Sequence, residues 1–238
     1  MPPDFPDVVI QVPYGSPLRW SLHPDYAPAK AGDPAAAVRF VDAVVSPAGL
    51  ERLRLLIGDR EPIVAAAHAE EAGGRNALPE RYAFVLSRRL GLPVDLQIVQ
   101  ANRPHRTGQG GEYRLVARSE FDGTVEVGRD HLIVDDNVTQ GGTLADLRSY
   151  IERNAGHVIG ASTLTGSRQS EKRAATLTAL RARFPGLERR WKETFGYDFD
   201  ALAEGEATYL LRSDPADALG DRVIARAQAG AASPVRRD

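Results

Sequence analysis

The apolar and polar positions of this chain fall into short runs of two kinds, and their alternation predicts the architecture. Residues 8–12 (Val8, Val9, Ile10, Gln11, Val12) read as a strand inside a proline- and turn-rich opening stretch, as an edge or covering element would. Helical patterning follows over 34–45, then through Leu50, Leu53, Leu56 and Ile57 until Gly58 stops it. The run 62–67 is short and continuously apolar, the pattern of a strand buried on both faces. After a loop over 68–75, Asn76 is placed to cap a helix over 77–90, which carries Leu78, Tyr82, Leu86 and Leu90 on one face and ends at Gly91. A strand over 94–99, a polar glycine-bearing stretch over 100–112, a strand-like run over 113–117 and a turn at Asp122 and Gly123 come next. The strongest strand is 131–135. It enters a glycine-rich loop and then an amphipathic helix with Leu144, Leu147, Tyr150 and Ile151 inward, which Gly156 stops before a strand over 158–164. From 170 onward the pattern is helical, with Trp191, Phe195, Tyr197, Phe199 and Tyr209 as its aromatics.

Strand, loop, helix and strand in this rhythm predict an α/β fold: a mostly parallel sheet with helices on both faces, plus N-terminal and C-terminal helical covering elements. The expected segments are an N-terminal cover over 1–60, a core over 61–169, a helical extension over 170–229 and a disordered tail over 230–238. A length of 238 residues with 42% apolar side chains fits one α/β domain with extensions and excludes collagen-like, coiled-coil and wholly disordered classes. The net charge of −2 provides no global basic field for duplex nucleic acid or an acidic membrane, so any anion site is local. The absence of cysteine excludes disulfides, thiolate metal sites and a cysteine nucleophile. No apolar run approaches the roughly 20 residues of a membrane helix, and the first residues lack the character of a signal peptide, so a cytoplasmic location is expected. Only three of the thirty basic residues are lysines (Lys30, Lys172, Lys192), so chemistry that needs an ammonium has few candidates.

The candidate chemistry lies in the stretch from Leu132 to Leu144. Successive side chains of a strand point to opposite faces, so the adjacent carboxylates Asp135 and Asp136 address one ligand only where the strand has ended, which is expected here. Carboxylates this close raise each other's pKa unless a cation or hydroxyl donors relieve them, which suits a sugar diol and a divalent metal. Thr139, Gln140, Gly141, Gly142 and Thr143 follow at a helix start, where unpaired N–H groups and the helix dipole favour a phosphate. Together they describe a ligand with both a diol and a phosphate, held beyond the carboxyl ends of the strands. Competing motifs fail: no G-x-x-x-x-G-K-[ST] occurs, Asn137 stands where an aspartate-nucleophile phosphatase needs its second carboxylate, and Tyr113 stands where a dinucleotide fingerprint needs its third glycine. The remaining alternative is a turn whose glycines serve only the backbone.

The stretch resembles the phosphoribosyl-diphosphate (PRPP) motif of type I phosphoribosyltransferases: an apolar strand, two acidic residues, two further residues, then a Thr- and Gly-rich phosphate loop. The motif covers thirteen residues, and the order of strands and helices over 62–165 agrees with that fold. The resemblance implies that Asp135 and Asp136 hold the ribose hydroxyls, with Mg²⁺ bound to them directly or through water. It implies that Thr139, Gln140, Gly141, Gly142 and Thr143 hold the 5′-phosphate, and that Asn137 also binds substrate. Asn137 and Gln140 depart from the family pattern, which has an aliphatic and a small residue there. A pyrophosphate loop is implied at 67–75, with backbone N–H groups of Ala67, His68 and Ala69 and the Arg75 guanidinium as its donors. A mobile catalytic loop is implied at 102–118, where Arg103, His105, Arg106, Arg114 and Arg118 concentrate, Arg103 binding substrate and Arg106 acting in catalysis. Each of these residues has the alternative of an ordinary solvated or partly buried side chain.

The expected function is transfer of ribose 5-phosphate from PRPP to a nitrogenous base or related acceptor, with small molecules as partners and a homodimer by analogy alone. The loop has no lysine, which disfavours an orotate enzyme, and Thr139 stands where 6-oxopurine salvage enzymes carry aspartate. A PRPP- or nucleotide-binding regulatory protein without turnover is the alternative, and the same fold acting in the cleavage direction is a third. The aromatic group at 191–199 either stacks on a base or forms the core of a covering unit.

Overall fold

Five parallel strands form the central sheet of the computed structural model, which describes residues 8–68, 76–101, 115, 118–167, 174–214 and 218–231. In chain order the strands are β1 (Val9–Pro13), β2 (Ile63–Ala66), β3 (Val94–Asp95), β4 (Val99–Gln100), β5 (Phe121–Asp122), β6 (Asp130–Val138) and β7 (His157–Gly166). The sheet order is β1-β7-β6-β2-β3, and β4 and β5 form a separate antiparallel pair. The helices are α1 (Tyr26–Lys30), α2 (Pro34–Val44), α3 (Pro47–Ile57), α4 (Leu78–Leu90), α5 (Gly142–Arg153), α6 (Ala174–Arg183), α7 (Leu187–Phe195), α8 (Glu204–Arg212) and α9 (Leu219–Ala231).

Local chemistry sets these elements. Asp33 caps α2 by accepting the Ala35 and Ala36 N–H groups, Ser46 caps α3 through the Gly49 N–H, and each is followed by proline at the first helical position. Gly91 ends α4 in the left-handed region at φ 72°. Asn76 does accept the Leu78 N–H, but α4 starts one residue later than expected, after Ala77.

The apolar runs of β2 and β6 are buried on both faces, as their lack of alternation predicts. Val64, Ala66, Leu132 and Val134 pack against α1 to α4, through Ala29, Phe40, Leu53, Tyr82 and Leu86. On the opposite face Ala65, Ile133 and Ala161 meet Leu144, Leu147 and Ile151 of α5. Each fully buried leucine here contributes on the order of 1.5–3 kcal/mol of transfer free energy. Residues 8–57 share this core: β1 pairs with β7, and α2 and α3 lie in the same cluster as β2 and β6. The expected N-terminal cover is therefore an edge strand and a helical layer of the sheet itself. The C-terminal helices make a third cluster around Trp191, Phe199, Leu202 and Leu210. No helix among the described residues is long and apolar enough to cross a membrane.

Three expectations are corrected. The strand expected over 94–99 is broken into β3 and β4, because the Asp95 carboxylate accepts the Gln97 N–H at 2.7 Å and turns the chain. Leu115, the described residue of the run 113–117, is helical and buried against the C-terminal cluster. The strand expected to end at Asp135 continues to Val138, since β7 runs on beside it and pairs Asn137 with Thr165 and Val138 with Gly166. Gly166 (φ 150°) allows that pairing, because a Cβ there would overlap the Val138 carbonyl. Of the tail expected at 230–238, Gly230 and Ala231 belong to α9 and the rest lies outside the described residues.

Candidate functional site

From β2 the chain moves outward through α4 to β3, and it returns on the other side of β2 as β6. The progression of strands thus reverses between β2 and β6, and the crevice beyond their carboxyl ends is where open α/β sheets place ligands. A cavity of about 230 Å³ opens there, lined by the whole segment 135–144 together with Tyr26, Lys30 and Glu206. It is smaller than the roughly 300–1,000 Å³ of drug-sized ligand sites, a size suited to a compact polar ligand.

Because β6 is still extended at 135 and 136, the two carboxylates leave it on opposite faces. Asp135 lies on the α5 side with Ile133, and its Oδ1 accepts the Asp136 backbone N–H at 2.7 Å. Asp136 lies on the α1 side, where its Oδ2 accepts a hydrogen bond from Lys30 Nζ at 2.7 Å. Both still line the cavity, since it caps the strand end from above. Burial, then the neighbouring Asp136 charge, push the Asp135 carboxyl well above the usual carboxylate range. Burial works against the Lys30 ammonium, but the Asp136 charge and hydrogen bond outweigh it and raise its pKa.

Past Val138 the chain turns through Thr139 and Gln140 to Gly141, which stands at φ 85° as the N-cap of α5. Glycine provides no side-chain cap, so the first turn of α5 presents its backbone and dipole to the cavity it lines. Gln140 Oε1 is buried there with no hydrogen-bond partner. Asn137 Oδ1 accepts from Tyr14 OH (2.6 Å) and Thr165 Oγ1 (3.0 Å), which fixes its carboxamide at the cavity wall.

The other expected residues are distributed differently. Ala67 and His68 lie buried at the end of β2, but the Ala67 N–H donates to the Val134 carbonyl and the His68 N–H to the Ala66 carbonyl. Two of the amides expected to hold a pyrophosphate are therefore bound within the fold. Ala69, Arg75, Arg103, His105, Arg106 and Arg114 lie outside the described residues. Arg118, expected as a loop cation, instead joins Asp146 of α5 (Nε–Oδ1 3.0 Å) to Glu206 of α8 (Nη1–Oε1 2.8 Å), with its guanidinium 4.8 Å from the centre of the Tyr197 ring. Glu206 also accepts the Ala203 N–H at the start of α8. The aromatic group at 191–199 is the core of the C-terminal unit, with Trp191 and Phe199 fully buried.

Sequence reasoning missed Lys30, Tyr26 and Glu206. Tyr26 and Lys30 are one helical turn apart on α1, and the scarcity of lysine was the available signal for Lys30. Among the described residues, the one group of three carboxylates close enough to share a cation is Glu188, Asp198 and Asp200, away from this cavity and bridged by Arg181.

Fold and site together define an open parallel α/β protein with an acidic, glycine-lined cavity at the strand reversal. The chain is 40% identical over 226 residues, 93% of its length, to Protein TraN of Escherichia coli, of which it spans 50%. Over 148 residues, 62% of the chain, it is 43% identical to an uncharacterized protein of Haemophilus influenzae, of which it spans 32%. The chain thus spans half or less of the length of these relatives. Among solved structures it is similar to the adenine phosphoribosyltransferase of Thermoanaerobacter pseudethanolicus, with 18% identity over 56% of this chain and 74% of that one and a TM-score of 0.35. No protein-family model matches the chain.

Proposed function

We propose that this chain is a phosphoribosyltransferase, moving ribose 5-phosphate from PRPP to a nitrogenous acceptor with loss of pyrophosphate. The observation that carries the reading is that Asp135, Asp136 and the loop through Thr139, Gly141, Gly142 and Thr143 line one cavity at the strand reversal. In this reading the loop and the first turn of α5 hold the 5′-phosphate, and the two carboxylates hold the ribose hydroxyls. Fixing the donor from both sides presents C1 to the acceptor, and the carboxylates stabilise positive charge that builds on the ribose as pyrophosphate leaves.

Asp135, Asp136 and the unpartnered Gln140 Oε1 are hard oxygen donors, a set that fits Mg²⁺. These residues would hold the ion, which when bound supplies neutralising charge beside the donor's anionic groups. The pyrophosphate end falls to Ala69, Arg75, Arg103 and Arg106, since the Ala67 and His68 amides are engaged. Calorimetric titration with PRPP and Mg²⁺ tests the reading: affinity is expected for the parent protein and lost in Asp135→Asn/Asp136→Asn. Unchanged affinity in the double variant refutes the assigned role. The Lys30–Asp136 ion pair favours one second reading, PRPP binding without turnover. Tight binding with no pyrophosphate released across a panel of bases would decide for it.

A further inference from the structure

The described residues around the cavity carry three carboxyl groups (Asp135, Asp136 and Glu206) against one cationic side chain, Lys30. Glu206 has its own cation in Arg118, which among the described residues leaves Lys30 as the cation of the adjacent acid pair. A phosphate dianion drawn to the start of α5 approaches the negative charge that Asp135 and Asp136 share, and at contact range in a partly buried site that repulsion is several-fold stronger than in water. Lys30 is positioned to relieve it. Its Nζ sits 2.7 Å from Asp136 Oδ2 with the side chain 32% exposed, at the end of a helix whose Tyr26 also lines the cavity.

We infer that Lys30 is the resident counter-ion of the acid pair: a positioning residue that occupies the charge position a divalent cation would take, and so admits a sugar phosphate when no metal is bound. The inference rests on the sugar-phosphate reading of the cavity. It also goes beyond that reading, because it makes the ammonium and a divalent cation mutually exclusive partners of Asp136. In the ligand-free protein a cation must displace Lys30 to reach both carboxylates. With ribose 5-phosphate and no metal, the ammonium keeps the pair from repelling the phosphate.

Two titrations test this on the whole chain, using ribose 5-phosphate in EDTA and Mn²⁺ followed by electron paramagnetic resonance. Lys30→Met is expected to weaken ribose 5-phosphate at least about ten-fold in EDTA, recover it when Mg²⁺ is added, and tighten Mn²⁺ in the ligand-free protein about ten-fold. Lys30→Arg, which keeps the charge, is expected to stay within about three-fold of the parent in both titrations. Lys30→Gln removes the charge but keeps a hydrogen-bond donor for Asp136, so it reads the same effect should the methionine variant not fold.

Unchanged affinities in Lys30→Met and Lys30→Gln overturn the inference. So does a loss of ribose 5-phosphate that Mg²⁺ does not restore, which would make Lys30 a direct ligand contact. If the parent protein binds no ribose 5-phosphate at all, the proposed function fails, while the Mn²⁺ titration still judges the Lys30–Asp136 competition by itself.

Discussion

Replacing Arg118 with leucine tests how the C-terminal helices are fastened to the sheet. The guanidinium joins Asp146 and Glu206, whose side chains are 9% and 1% exposed, and it is itself only 21% exposed. Burial works against its charge, and Glu206 and Asp146 outweigh that burial and raise its pKa. Without it, Glu206 retains the Ala203 N–H and Asp146 the Ser119 N–H, while both carboxylates lose the guanidinium and stay largely out of water. Breaking a buried pair in this way costs about 3–5 kcal/mol, because the Glu206 charge stays buried without its guanidinium. For a chain of this size that corresponds to a fall of roughly 6–20 °C in Tm. Circular dichroism through thermal and urea unfolding measures it, and Arg118→Leu combined with Glu206→Leu should be less destabilised than the sum of the two single changes. Strict additivity, or an Arg118→Leu protein within about 2 °C of the parent, would show that the triad does not hold the two units together.

Two other expectations concern the sheet. Burial holds the His131 imidazole below its ordinary pKa; Nδ1 lies 3.0 Å from the Arg129 carbonyl, and Nε2 has no partner. The unfolded chain therefore takes up the proton first, so stability is full above about pH 6.5 and declines as pH falls through the lowered native value. Urea unfolding between pH 7.5 and 5.5 should show that decline, and His131→Leu should lack it; equal slopes would refute the assignment. Gly166→Ala puts a Cβ against the Val138 carbonyl at φ 150° and should cost about 1–3 kcal/mol in thermal unfolding. A Tm shift of less than about 2 °C would mean that the β6–β7 end relaxes without strain.

The sheet and its helices were legible because β2 and the Leu132–Val134 stretch of β6 are buried on both faces and leave unbroken apolar runs, while Gly58 and Gly91 mark the helix ends. The acid pair and the loop to Thr143 were legible as neighbours in sequence. What periodicity could not give was the length of β6, set by pairing with Thr165 and Gly166 some thirty residues away, and hence the placement of Asp135 and Asp136 on opposite faces of the strand. Lys30 and Glu206 were hidden for the same reason: they reach the cavity from 106 residues before Asp136 and from a C-terminal helix. Arg118 read as one more loop cation, because the two carboxylates that claim it are distant in the chain.

The placement of β1 has a consequence for assembly. Its partner is the last strand of the sheet, Val9 lying beside Ser162, with Ser162 Oγ donating to the Val9 carbonyl across 153 positions of sequence. During synthesis the opening strand must wait until nearly the entire core has emerged before it can dock, which places this pairing among the slow, non-local steps of folding. Until it docks, the outer side of β7 is a row of unpaired amides and carbonyls able to recruit a stray strand from another molecule. Removing the first thirteen residues should therefore show itself first as self-association, with the helices largely intact.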